Sequence, residues 1–200
     1  YAGPGDEIIT TPWTMSATAM AILHWNAIPV FADIDRETFN IDPESVRSLI
    51  TPRTKAIMAV DIFGMTADVA ALRAIADEYG LKLLGDTAQA PGALREGDFT
   101  GTGYDIGGFS LNYHKHIHCG EGGILVTNDD ALAERLALIR NHAESVIKPK
   151  SRDDLANMIG YNFRMGEIEA AIASVQLDKL EERVADRQRV ADQLNAGLGD

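Results

Sequence analysis

Gly103-Tyr-Asp-Ile-Gly-Gly-Phe-Ser-Leu-Asn-Tyr-His-Lys-His-Ile-His-Cys-Gly-Glu-Gly-Gly123 is the stretch on which the reading of this chain turns. Ile106 to Leu111 is a short apolar run of the kind that forms a buried strand. Polar and ring-bearing residues follow, with one lysine, Lys115, and then the glycine-rich turn Gly120 to Gly123. A second apolar run, Ile124 to Val126, comes directly after. Lys115 has no carboxylate three or four residues away, so an ion pair on a helix surface does not account for it. Desolvation between two buried strands would lower its pKa, and a neutral amine can attack a carbonyl to form a Schiff base. A surface-loop lysine is the bland alternative. Asp86, placed just after another apolar run, argues against it.

Outward from this stretch, apolar runs alternate with helical patterns. Strands are expected at Glu7 to Thr11, Pro29 to Ala32, Ala56 to Phe63, Leu81 to Leu84 and Ile124 to Thr127. Helices are expected from a Ser16 or Thr14 cap to Trp25, from Glu44 to Ile50 behind Asp42 and Pro43, and from Val69 to Tyr79 between Asp68 and Gly80. A further helix runs from an Asp129 cap to Arg140. Continuous apolar strands belong to sheets covered on both faces, so the fold class is α/β, a mostly parallel sheet sandwiched by helices. Ala143 to Asp154 reads as a mobile polar loop. Glu167 to Leu198 reads as one long helix with Ile168, Ile172, Val175, Leu180 and Val184 on an apolar stripe.

Bulk properties exclude several functions. With 200 residues and 46% hydrophobic content the chain can bury a core, and a net charge of −12 opposes general nucleic-acid binding. No apolar run approaches the roughly 20 residues that a membrane span needs. A single cysteine, Cys119, fits a reducing compartment and reads as a buried small residue. His114, His116 and His118 alternate, but no cysteine or acidic cluster supports a metal site, and the spacing is that of one side of a strand.

In open α/β sheets, ligands gather at the carboxyl ends of the strands, where Asp86, Ser110 and Lys115 can converge. A lysine, a carboxylate and a hydroxyl in one cleft suit pyridoxal 5′-phosphate (PLP). The lysine forms the Schiff base, the carboxylate partners the pyridinium nitrogen and the hydroxyl holds phosphate.

These residues also resemble a known family. Pro4-Gly-Asp-Glu-Ile-Ile-Thr-Thr-Pro12, Thr51-Pro-Arg-Thr-Lys-Ala-Ile57, Asp86-Thr-Ala-Gln89, Phe109-Ser110 with Lys115, and Gly160-Tyr-Asn-Phe-Arg-Met-Gly-Glu-Ile-Glu-Ala-Ala-Ile172 are similar in kind and order to motifs of the DegT-like (DegT/DnrJ/StrS) nucleotide-sugar aminotransferases, PLP enzymes of fold type I. The resemblance covers essentially the whole chain. It implies that Lys115 holds the internal aldimine, that Asp86 meets the pyridine nitrogen, that Gln89 lies near the ring oxygen and that Ser110 contacts the phosphate. Asn162 would reach the phosphate of a partner subunit, or else serve only as a helix cap. The family stacks an aromatic residue on the cofactor one position after the threonine of Pro-x-Thr. Met15 stands there, with Trp13 two residues earlier, and either can pack on a ring. Gly85 occupies a position where the family commonly has an acidic residue.

The resemblance further implies a PLP-binding large domain over 1–160 and a helical segment over 161–200 leading to a small carboxyl-terminal domain. The chain then reads as a fragment, with the family's phosphate turn and small domain outside it, and inactive by itself. Expected partners are a nucleotide keto sugar, an amino-acid donor such as glutamate, and a second copy in a cytoplasmic homodimer with shared sites. Two alternatives stand beside transamination: a sugar dehydratase of the same fold, which carries histidine at the lysine position, and a non-catalytic PLP-binding regulator.

Overall fold

The computed structural model describes residues 2–144 and 158–198. Six strands, numbered in chain order, form one sheet: β1 (Glu7–Thr10), β2 (Ile28–Phe31), β3 (Thr54–Val60), β4 (Lys82–Asp86), β7 (Ile106–Ser110) and β8 (Gly123–Val126). Their order is β2-β1-β3-β4-β7-β8. All neighbours are parallel except β7 and β8, which are antiparallel. The difference follows from the connections, because a parallel pair needs a crossover and an antiparallel pair can be joined by a turn. Here that turn carries Lys115. A small hairpin, β5 (Leu94–Arg95) with β6 (Asp98–Phe99), was not expected from the sequence; its four strand residues are all exposed and show no buried alternation.

Alternate residues along the strands point to two different layers. Ile9, Ile57, Ala59 and Leu83 pack with Val46 of α2 (Pro43–Ser48) and with Leu72, Ile75 and Ala76 of α3 (Val69–Tyr79). Ile8, Ala56, Met58 and Leu84 face the other way, towards Ile22 of α1 (Ala17–Leu23) and Ala27. The remaining helices are α4 (Asp130–Arg140), α5 (Glu167–Leu177) and α6 (Leu180–Leu198). No described helix is long and apolar enough to cross a membrane.

Several expected caps are present. Asp42 accepts from the Glu44 amide at 3.0 Å with Pro43 opening the helix, and Asp68 accepts from the Ala71 amide at 3.1 Å. Asp129 accepts from the amides of Ala131 and Leu132, and Gly80 closes α3 in the left-handed conformation at φ 65°. Each aspartate cap is worth about 1 kcal/mol.

Three expectations need correction. Neither Ser16 nor Thr14 caps α1: Ser16 holds the N-cap position without a side-chain cap bond, and Thr14 is bonded to Thr18 instead. The third strand does not reach Phe63 but ends at Val60, followed by a 3₁₀ turn over Ile62–Gly64. Side chains there outcompete the ladder. Asn40 Oδ1 accepts from the Ile62 amide at 3.3 Å, and Asp61 Oδ1 accepts from the Ala67 amide at 2.9 Å. The long carboxyl-terminal helix is two helices. The Lys179 amide reaches back only to the Gln176 carbonyl, a tightened last turn. This break seats Leu180 against Leu111, Ile117 and Cys119, and brings Leu180 and Val184 over Gly92. The loop expected over Ala143 to Asp154 lies mostly outside the described residues.

Candidate active site

Asp86 ends β4, with Val60 of β3 on one side and Gly108 of β7 on the other. Ser110 lies two residues beyond Gly108, about 7 Å further towards the carboxyl edge, and closes β7. The sheet therefore delivers Asp86 and Ser110 to the same edge on neighbouring strands, and Lys115 sits in the turn immediately after.

That turn is built to hold its shape. The Lys115 amide donates to the Asn112 carbonyl at 2.9 Å. The Asn112 amide donates to Ser110 Oγ at 3.2 Å, its Nδ2 donates to Glu121 Oε1 at 2.8 Å, and its Oδ1 accepts from the His114 amide at 3.1 Å. Below, Leu111, Ile117 and Cys119 are buried, with Met165, Ala173 and Leu180 packed against them. Cys119 is thus a small core residue, as expected, and burial raises its thiol pKa. Lys115 itself is half-buried. His116 beside it is held below the ordinary imidazole range by burial and then by the positive charges of Arg187 and Lys115. The three alternating histidines stand in an irregular turn rather than on a strand. Among the described residues no group of three or more His, Cys, Asp or Glu is arranged to hold a metal ion.

Both oxygens of Asp86 are engaged once. Oδ1 accepts from the Ala88 amide at 3.2 Å and Oδ2 from the Thr18 hydroxyl at 2.7 Å. Gln89 is fixed as well. Its Oε1 accepts from the Phe63 amide at 3.0 Å. Because an amide N–H must meet an acceptor, the oxygen is the end that faces Phe63, and the Nε2 donors are what Gln89 can offer elsewhere.

Behind Asp86, on the α3 face of the sheet, sits a second carboxylate that the sequence reading passed over. Asp61 is 0% exposed and accepts from Tyr104 Oη at 2.7 Å, Thr87 Oγ1 at 2.9 Å and the Ala67 amide. Burial pushes its pKa up despite these donors, and burial with the Asp61 charge pushes the Tyr104 phenol up too. The Asp61 amide donates to the Asp86 carbonyl at 3.0 Å. The exit of β3 is therefore a frame for the Asp86-to-Gln89 segment. The Tyr104 ring lies against the backbone of Gly85, in the space that a side chain at Gly85 would fill.

The frame contains strain. Phe63 has φ 54°, in the left-handed region, and is 70% exposed. A non-glycine residue there is strained by about 1–2 kcal/mol. Phe63→Gly relieves the strain, loses little burial, and adds roughly 0.4–1 kcal/mol of unfolded-chain entropy. We expect a net stabilisation of about 0.5–1 kcal/mol, read from chemical denaturation; a loss instead shows that the ring packs usefully.

The other expected site residues are placed less centrally. Met15 is 65% exposed, its sulfur accepting from the Ala17 amide at 3.1 Å, one residue from Thr14 and so at the mouth of α1 above Asp86. Trp13 packs its ring on Phe39 at 6.2 Å. Asn162 is exposed and bridges Asn141 after α4; it caps no helix, since α5 starts from Gly166. Its neighbour Tyr161 packs on Trp25, just past the end of α1 remote from Thr18, so this chain does not gather Asn162 with Asp86. A cleft of about 450 Å³ lies between α1, the sheet and α4, lined by Ile22, Met58, Leu84 and Ile139. Among the described residues Arg135 is the one charged group lining it, and Asp86, Ser110 and Lys115 are not part of that lining.

A half-buried lysine in a braced turn follows the strand next to the one that ends at Asp86, at the carboxyl edge of a mostly parallel α/β sheet. The chain belongs to the DegT/DnrJ/EryC1/StrS aminotransferase family, which it matches over residues 1–200. It is 43% identical over 190 residues to the pleiotropic regulatory protein of Geobacillus stearothermophilus, covering 94% of this chain and 50% of that protein. It is 39% identical over 188 residues to GDP-perosamine synthase of Caulobacter vibrioides, again covering 94% and 50%. A crystal structure of a family aminotransferase from Brucella abortus superposes with a TM-score of 0.90 at 32% identity, covering 98% of this chain and 53% of that one. The chain spans about half the length of the relatives it matches.

Proposed function

We propose that the protein is a PLP-dependent aminotransferase acting on a nucleotide-linked keto sugar, with glutamate as amino donor. The observation that carries this is the delivery of Asp86, Ser110 and the Lys115 turn to one edge of the sheet, with Asp86 and Gln89 already anchored. Family membership supports transamination, and GDP-perosamine synthase among the relatives supports a nucleotide-sugar substrate.

The residues present fit PLP. Asp86 keeps acceptor capacity beyond its two bonds, which suits a pyridinium N–H, and the free Nε2 donors of Gln89 suit a ring oxygen. Ser110 offers its hydroxyl to phosphate. Met15 or Trp13 would pack on the ring. PLP, when bound, supplies the electron sink that lets a proton leave the carbon bearing nitrogen. Lys115 would hold the cofactor carbonyl through its amine, and the same amine would take and return that proton as general base and acid. Asp86 stabilises positive charge on the ring nitrogen throughout, and its effect is greatest as charge develops. Asn162, on the surface, is assigned to the phosphate of a partner's site in a homodimer working in the cytoplasm.

The test is to load the full-length protein with PLP and supply glutamate with a panel of nucleotide keto sugars. We expect glutamate-dependent appearance of an amino sugar. Loss of a neighbouring hydroxyl as water, with the ketone retained and no nitrogen incorporated, would identify a dehydratase instead, and no turnover with any sugar would favour a regulator.

A further inference from the structure

We propose that Thr14 and Thr18 form a hydroxyl relay that positions Asp86, with Thr18 the contacting residue and Thr14 its support. The inference rests on the PLP reading above and adds residues that no sequence motif assigned.

The direction of the relay follows from donor counting. Thr18 is 2% exposed, so its hydroxyl must be satisfied inside the protein. It lies 2.7 Å from Asp86 Oδ2. An ionised carboxylate only accepts, so the single Thr18 proton goes to Asp86. The 2.8 Å contact between the Thr14 and Thr18 hydroxyls can then run only from Thr14 to Thr18. The chain Thr14→Thr18→Asp86 is polarised towards the carboxylate, and successive hydrogen bonds of this kind strengthen one another. With the Ala88 amide on Oδ1 at 3.2 Å, the carboxylate is pinned through both oxygens, which sets the plane of its remaining lone pairs.

Local structure bears the mark of this use. Helix α1 has no side-chain cap at its amino end although Thr14, Ser16 and Thr18 all stand there. Ser16 stands at the N-cap position, where a side-chain cap bond would stabilise the helix by about 1 kcal/mol, and makes none. Here the hydroxyl of Thr14, which precedes the helix, meets that of Thr18 in its first turn, and Thr18 in turn bonds Asp86. A local rule broken beside a candidate catalytic group is where a functional demand is expected.

The test measures the affinity of the full-length protein for PLP by spectrophotometric titration, with the visible band of the loaded protein as second readout. Thr18→Val, nearly isosteric, should weaken PLP binding about tenfold, the scale of one hydrogen bond to a charged group. It should move the visible band in the same direction as Asp86→Ala. Thr18→Ser should restore both, and Thr14→Val should show a smaller effect of about threefold. The deciding comparison is a double-mutant cycle, in which Thr18→Val adds nothing once Asp86 is alanine. An equal effect of Thr18→Val with and without Asp86 makes the residue merely structural and overturns the proposal, as does parental binding by Thr18→Val. If Thr18→Val does not fold, as judged by circular dichroism, Thr14→Val in the two backgrounds decides in the same way. Asp86→Ala with unchanged affinity and band overturns the cofactor reading itself, a different result from failure of the relay.

Discussion

Lys115→Arg should give a folded protein whose amino-transfer rate has fallen by at least about 10⁴-fold, the scale seen when a nucleophile or a general acid–base is removed. Arginine keeps the positive charge and much of the length, but its guanidinium stays protonated and cannot attack a carbonyl. The fold should survive because the turn is held by Asn112, Glu121 and the buried Leu111, Ile117 and Cys119, not by the lysine side chain. A chemical check runs alongside. Borohydride reduction of the PLP-loaded protein should fix the pyridoxyl group on Lys115, located by peptide mapping. Label on Lys55, Lys82 or Lys179 instead would sink the assignment, as would parental turnover by Lys115→Arg.

The second large effect falls on folding. Gly107, in the middle of β7, is paired with Gly85 and with Val126. A Cβ at Gly107 would run into the carbonyl oxygen of Gly101 and stand 2.9 Å from its carbonyl carbon and Cα. Backbone cannot swing aside as a side chain can, and Gly101 is itself held in a left-handed conformation, φ 96°, against the Phe109 ring. Gly107→Ala should therefore cost about 3 kcal/mol, the upper end for overpacking. That is a large part of a typical total of about 5–15 kcal/mol. Gly108→Ala is the control, since its Cβ would meet Leu125 Cδ2 at 3.4 Å and Gly85 O at 3.6 Å, ordinary contacts. Urea denaturation of the two variants decides, and equal losses would mean that the strand shifts to make room.

Much of the fold was legible because the information was local. Asp42, Asp68 and Asp129 announce helix starts by chemistry that acts within three residues, and the apolar runs of β3 and β4 declare a sheet covered on both faces. What failed needed distant partners. The end of β3 depends on Asn40 and Ala67, and the break before Leu180 depends on a core that Leu111 and Ile117 build far upstream. The site divides in the same way. Asp86, Gln89, Ser110 and Lys115 stood out through spacing and motif, and the structure places Asp86, Ser110 and the lysine turn along one edge. Thr18 and Asp61 did not stand out, because a buried threonine on an apolar helix and an aspartate at a strand exit look like ordinary structure. The pairing of Thr14 and Thr18 four residues apart was the available signal for the first. Nothing short of the fold pointed to Tyr104 over Gly85.

The alternation along β4 has a consequence for descent. Leu83, Gly85 and Thr87 are buried against the α3 layer, where they answer to packing and to Asp61. Leu84 and Asp86 face the α1 layer, where Asp86, on the proposed function, would answer to chemistry. Two kinds of selection would then act on interleaved letters of one short word. A lineage that stopped catalysing would be free to lose Asp86 and Thr18 while Gly85, Thr87 and Tyr104 stayed under constraint. The odd and even positions of this strand would then keep separate histories: one of the protein remaining folded, the other of it remaining an enzyme.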